Sequence, residues 1–487
     1  MGTSTADAPS LADAFSHGYL ISSDPTLFPD TAAAWPRTTC GPITVALHPK
    51  TISLAHTTGR ATALLIGHPV DLDADTIDLA HITRRAAEEL HHGGVGAFTR
   101  YVGYLAGRFT AYAVTADEVV AVPDSCATQS VYWARKGAPV LASHIELVAD
   151  AVGAQVNEAA LGRLRNLRTL RPGVTHFFAG IETVYHDVLP LLANHRLRWD
   201  VATGAVRHER FYPFEDVPQS GDADAVYADF RDVFRQGCRL LSSFGRTGIS
   251  LTGGDDSGTT LRGARPFLRD DAFTFTYLNP GSRSPGQYDD VFAANRLSAE
   301  AGLQHLVIRS GSAEPGSLFD QVFGTTWKAH RPSEVAARAM YEQLPRGFFQ
   351  LQSMHAEVGT SFYRKRTTAP PTAARLAELY QNAAVAAVPE FVERFEEFIE
   401  YADFRTGSHA NLDYHDLFYW EHRDSRWAAQ KPHEGDLGHR VLQPFNSRRL
   451  IEVMFRLPYR QREEKVLLRR FHESEPLARR SLLSVGG

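Results

Sequence analysis

The sequence predicts two domains. A strand-dominated α+β domain built of packed sheets covers residues 1–210. An α/β domain with a parallel, doubly wound sheet and added helices covers 211–487. Three observations predict this. First, 487 residues exceed what one hydrophobic core organises. Second, the early chain carries short runs rich in β-branched and aromatic residues, separated by turn residues. Third, beyond position 222 apolar strand-like runs alternate with helical patterns, the signature of a parallel sheet.

Each element follows from its local pattern. Residues 1–35 are rich in Ala, Ser, Asp and Pro and read as a loose lead-in. ITVALHP, ATALLIGHPV, RFTAYAV, EVVAVPD and APVLASH read as strands. Among them IDLAHITRRAAEELHHG repeats Leu79, Ile82, Ala86 and Leu90 at helical spacing, with Gly93 placed as the C-cap. Residues 212–223 hold two prolines, a glycine and several acids, and read as the interdomain linker. A helix follows with Val226, Phe230, Val233, Phe234, Cys238 and Leu241 on one stripe. GISLTGG, AFTFTYL (272–278) and LQHLVI (303–308) read as strands of the second domain, with a helix from Asp289 through Ala301. Residues 325–470 read as mostly helical.

Composition narrows the function class. The chain is 43% hydrophobic and 22% charged, ordinary for a globular protein. A net charge of -5 and a pI near 6.5 argue against nucleic acid or an anionic membrane as partner. No apolar run approaches a membrane span. Three cysteines, Cys40, Cys126 and Cys238, form neither a disulfide framework nor a zinc pattern, so a reducing cytoplasm is expected. The first fifteen residues lack a basic start and an apolar core, so no secretory signal is expected there.

The chemistry concentrates in GISLTGGDDSGTTL, 248–261. An apolar strand runs into two glycines, two aspartates and a serine, then a helix. Glycines allow close backbone approach to phosphate oxygens, and the helix start presents N–H groups to an anion. The Thr252 and Ser257 hydroxyls add donors. A carboxylate beside phosphate needs a cation, which makes Asp256 a candidate Mg²⁺ ligand. The competing reading is a strand–turn–helix corner with an Asp-Ser N-cap. The segment lacks the Gly-Lys-Ser/Thr of the Walker loop and the spacing of a dinucleotide fold.

The order Thr-Gly-Gly-Xaa-Asp-Ser after an apolar strand resembles the PP-loop of ATP pyrophosphatases, which split ATP into AMP and pyrophosphate. Further segments resemble the asparagine synthetase-like family, which includes β-lactam synthetases and lasso-peptide cyclases. They are YLAGRFTAYAV with the strands after it, HFFAGIETVY through HERFYPFE, DDVFAANRLSAEAGLQHLVI, and HRVLQPFNSRRLIEVMFRLPYRQREEKVLLRRF. Together they span about 95 to 471.

This resemblance implies an N-terminal Ntn-hydrolase-like β-sandwich and a PP-loop, adenine nucleotide α-hydrolase-like domain. It implies ATP and Mg²⁺, and a nucleotide-contacting set of Leu251, Thr252, Gly253, Gly254, Asp255, Asp256, Ser257 and Thr276. Lys465 matches the family's C-terminal lysine, a clamp on pyrophosphate and the acyl-adenylate; the plainer reading is a solvated charge. The implied activity is AMP-forming amide-bond synthesis, in the setting of natural-product or peptide biosynthesis. The expected partners are a small-molecule or peptide carboxylate and an amine, with a second copy of the chain as a further candidate.

Two departures shape the expectation. Glutamine-dependent members carry Cys as the mature first residue, whereas this sequence starts Met1-Gly2-Thr3. Cys40-Gly41-Pro42-Ile43 echoes that start but reads better as strand entry, so loss of glutaminase activity and use of a substrate amine are expected. The family's second acidic motif is also altered. Residues 348–366 hold one acid, Glu357, as the second candidate Mg²⁺ ligand. Ser353 or His355 falls where amide-forming members place a Glu or Tyr, and His355 is a candidate proton acceptor, set against a packing histidine. Glu421 is a candidate partner base, set against an ion pair with Arg423 or Arg426. Phe418, Tyr419, Trp420 and Trp427 are candidates for an acceptor pocket or for helix core. An ammonia-using synthetase, a degenerate binding subunit and a tRNA-acting PP-loop enzyme remain as alternatives; the acidic pI opposes the last.

Overall fold

The structure is a computed structural model that describes residues 8–172, 177–280, 286–367, 369–405 and 409–477. Met1, Gly2 and Thr3 lie outside the described residues. The described residues form an α/β structure with three sheets.

Two six-stranded antiparallel sheets form the first half. One runs in the order Val188–Pro190, Tyr132–Ala134, Val140–Ala142, Tyr19–Ser22, Ile43–Leu47, Arg37–Cys40. The other runs Val206–Arg210, His195–Asp200, Glu118–Pro123, Ala106–Val114, Ala61–Val70, Ser53–Thr58. Alternation along Ala106–Val114 sets the layers. Tyr112 and Val114 pack with Tyr19, Ile43, Val45 and Trp133 between the sheets. Phe109, Ala111 and Ala113 face the other way, onto Ile82, Ala86, Leu90 and Phe98 of a covering helix.

Two expectations are corrected here. The lead-in is not loose from residue 8 onward: Tyr19–Ser22 is an inner strand, fully buried. Four residues are too few for alternation to show. The helical stretch Leu79–Tyr104 is broken where Gly94 adopts φ 67°, so a first helix ends beside the expected Gly93 cap and a second continues from it. Cys40 is not a strand entry: it ends the strand Arg37–Cys40 and pairs with Ile43 across the turn at Gly41.

The third sheet is parallel, in the order Gln304–Arg309, Phe273–Leu278, Thr247–Ser250, Phe349–Leu351, Arg440–Leu442. The last two strands have three residues each and lie inside the stretch expected to be helical. Chain order therefore reverses beside Thr247–Ser250. In open α/β sheets, ligands bind outside the carboxyl ends of the strands at such a switch point. The helix Ala223–Ser242 buries Val226, Phe230, Phe234 and Cys238 against this sheet's helices. Residues 212–222 cross over without regular structure and are pinned to the second half. Val217 N–H donates to Asn411 Oδ1 at 2.9 Å, and Tyr212 O–H donates to Glu452 Oε1 at 3.0 Å.

Candidate active site

The strand Thr247–Ser250 ends in the loop Leu251–Gly254, and the helix Asp255–Ala264 starts at once. The loop is closed from inside. Gly254 N–H donates to Thr252 Oγ1 at 3.2 Å, Thr252 N–H donates to Ser257 Oγ at 3.2 Å, and the two hydroxyls lie 3.1 Å apart. Leu251 N–H donates to the Phe275 carbonyl at 2.8 Å, while Thr276 Oγ1 donates to the Leu251 carbonyl. Thr276 therefore ties the second strand to the loop's root.

The helix Val466–Ser474 packs on the loop helix. His472 Nε2 lies 2.9 Å from Thr259 Oγ1 and 3.0 Å from the Asp255 carbonyl. A Cβ at Gly258 would come within 2.9 Å of His472, so glycine there permits the approach. That docking brings Lys465 Nζ to 3.1 Å from Asp256 Oδ1, across 209 residues of sequence. Lys465 takes φ 54°, a conformation that local propensity does not favour and that packing must hold.

Residues 352–357 follow the neighbouring strand Phe349–Leu351 and face the loop across the switch point. Burial and then Asp256's charge push the Glu357 carboxyl from its ordinary 4.5 up to about 7. Burial also raises Asp256, against the pull of Lys465. Asp256's charge raising the Glu357 carboxyl marks an oxygen donor pair that a hard divalent cation would relieve. Glu357 Oε2 is buried without a hydrogen-bond partner, and so are Ser353 Oγ and His355 Nε2. Unpaired polar atoms gathered at one place mark a site that a ligand completes.

Without a divalent cation, the raised Glu357 carboxyl makes stability pH-dependent. Its contribution is present below about pH 4.5 and is lost as pH rises through about 7. Glu357→Gln is therefore expected to gain roughly 3 kcal/mol on wild type between pH 4.5 and 8, with added Mg²⁺ narrowing the gap. Urea unfolding of both proteins at each pH checks this; a constant difference would refute it.

His355 Nδ1 lies 2.9 and 2.8 Å from the two Asp424 oxygens. The pair is fully buried. Burial alone would lower the imidazole, but Asp424's charge and hydrogen bond outweigh it and the pKa ends raised. His355 takes φ 79°, a second strained residue at the site. Cys126 joins the pair: its sulfur and the His355 and Asp424 ligand atoms lie within 4.8 Å of one another. Burial and then Asp424's charge push the thiol well up, so it stays protonated.

Glu421 is not brought to this cluster. It is fully buried and bonded end-on by Arg210, at 2.5 and 2.6 Å, and by Asn194 Nδ2 at 3.1 Å. It is thus an ion pair, but with Arg210 of the sandwich and not with Arg423 or Arg426. The acid on this segment that meets His355 is Asp424, which sequence reasoning did not single out. Phe418 and Trp420 are helix core. Tyr419 is also buried, feels the charges of Glu357 and Asp424, and packs at a tilt on the exposed Phe362, ring centres 4.6 Å apart.

Removing Arg210 would strand the Glu421 carboxylate in the core. Arg210→Met is expected to destabilise the chain by about 3–5 kcal/mol, and Arg210→Met with Glu421→Leu to recover most of that. Denaturant unfolding of the single and double variants measures it.

No family model and no curated protein matches this sequence. Among solved structures, the chain is similar to glutamine PRPP amidotransferase from B. subtilis at 8% identity. That match covers 67% of this chain and 90% of that one, with a TM-score of 0.27. It is similar to a tRNA thiolase from Methanococcus maripaludis at 13% identity, over 44% of this chain and 77% of that one, TM-score 0.19. It is also similar to glutamine-dependent NAD⁺ synthetase from Acinetobacter baumannii at 10% identity, over 53% and 63%, TM-score 0.16. Likenesses this slight assign neither fold nor activity to the chain. No helix among the described residues is long and apolar enough to cross a membrane.

Proposed function

We propose that the chain is an ATP-dependent, AMP-forming amide synthetase. It adenylates a substrate carboxylate and joins it to an amine on a substrate, as in natural-product or peptide biosynthesis. The observation that carries this reading is the meeting of Asp256, Glu357 and Lys465 beside a glycine loop that opens a helix at the sheet's switch point.

In the first step a carboxylate oxygen of the substrate attacks the α-phosphorus of ATP, and pyrophosphate leaves. The loop amides and the Lys465 ammonium hold the phosphate oxygens where negative charge builds. Asp256 and Glu357 would hold a Mg²⁺ ion, which when bound supplies neutralising charge to those oxygens. In the second step the amine nitrogen attacks the acyl carbon, the bond to AMP breaks, and the amine's proton passes to His355 Nε2. Asp424 fixes the imidazole by bonding Nδ1 and stabilises the imidazolium that forms. The nitrogen source fits a substrate amine. All three cysteines are buried with raised thiols, so none is the exposed thiolate that releases ammonia from glutamine.

The test is exchange of labelled pyrophosphate into ATP. Exchange that depends on an added acid and needs no amine is expected. A folded chain that gives none with a broad panel of small and peptide carboxylates would refute the proposal.

A further inference from the structure

The loop amides that would hold phosphate are not all free. Gly253 N–H donates to the Asp290 Oδ1 carboxylate at 3.0 Å. Asp290 stands on the helix Gly286–Ala301, which lies against the loop face. A Cβ at Gly253 would sit 3.0 Å from Ala293 Cβ and 3.4 Å from Asp290 Oδ1. The glycine thus lets this helix press its carboxylate onto the loop backbone. A carboxylate oxygen and a phosphate oxygen make the same demand on an N–H donor. One N–H cannot serve both at full strength. Asp255 and Asp256 already line the loop, so Asp290 adds a further acid beside the Lys465–Asp256 pair. A polyphosphate entering there meets repulsion as well as an occupied donor.

Resting on the ATP reading above, we infer that the Gly253 amide is a phosphate-oxygen subsite that Asp290 holds shut, so that ATP gains it only by displacing that carboxylate. Binding of the nucleotide is then linked to the placement of Gly286–Ala301. The closed contact reduces apparent affinity by the fraction of chains in which the amide is free.

The experiment is calorimetric titration of the full chain with Mg·ATP, comparing wild type with Asp290→Ala, Asp290→Asn and Asp289→Ala. Asp289 is an exposed acid one position away and controls for general charge. Asp290→Ala is expected to bind about tenfold more tightly than wild type, from the loss of one charge-assisted competitor. Asp290→Asn should fall between them, and Asp289→Ala should match wild type. Thermal unfolding shows that each variant folds. If wild type binds ATP and Asp290→Ala binds equally or more weakly, the inference is overturned while the proposed function stands; weaker binding would make Asp290 a cation ligand. Equal tightening in Asp289→Ala overturns it too, as bulk electrostatics. If no protein binds ATP, the proposed function falls and the inference with it.

Discussion

Asp256→Ala is expected to abolish acid-dependent pyrophosphate exchange, by at least about 1,000-fold, roughly 4 kcal/mol of transition-state stabilisation. Asp256 is the residue on which the site converges. It bonds Lys465 at 3.1 Å, and its charge raises Glu357. Its loss leaves Lys465 without its anchor and the cation donor set with one carboxylate. The fold should survive, because the substitution also removes the charge that raises the Glu357 carboxyl. Stability at pH 7 is expected within about 1 kcal/mol of wild type, or above it. Exchange assays and thermal unfolding on one preparation separate the two effects. Wild-type exchange in the variant would remove the loop from the chemistry.

His355→Asn is expected to divide the reaction. Pyrophosphate exchange should stay within a few-fold of wild type, since adenylation needs no base on the amine. Amide formation should fall by about 10²–10⁴-fold, the usual worth of a general base. Asparagine is the apt replacement because it tolerates the φ of 79° at this position, which alanine does not. The wild-type amide step should rise with pH along a limb centred above 6.5, because the imidazole must be neutral to take a proton and Asp424 raises its pKa. Asp424→Asn should move that limb down. Equal loss of both half-reactions in His355→Asn would reduce His355 to a structural role.

The limits of the sequence reading have a physical pattern. The strand–loop–helix at 248–261 was legible because its signals are local, an apolar run and paired glycines, although the helix is capped by Gly254 and not by an Asp or Ser side chain. Glu357 was legible because residues 348–366 hold no other acid. The Asp424 partnership was not. Glu421 and Asp424 are three apart, and the ordinary helical pattern offers both to one side. Residues Tyr419–Asp424 form a π-helix, whose wider turn re-aims successive side chains. Which acid meets Arg210, 211 positions away, is set by the docking of the sandwich and not by local spacing. The short strands Tyr19–Ser22, Phe349–Leu351 and Arg440–Leu442 were missed because sheet neighbours, not their own few residues, specify them.

The central claim is AMP-forming chemistry at this loop. Analysis of the nucleotide products of ATP labelled at the α-phosphorus, with chain, acid and amine present, tests it most directly. The account predicts AMP, pyrophosphate and amide in equal amounts. ADP with inorganic phosphate would contradict it.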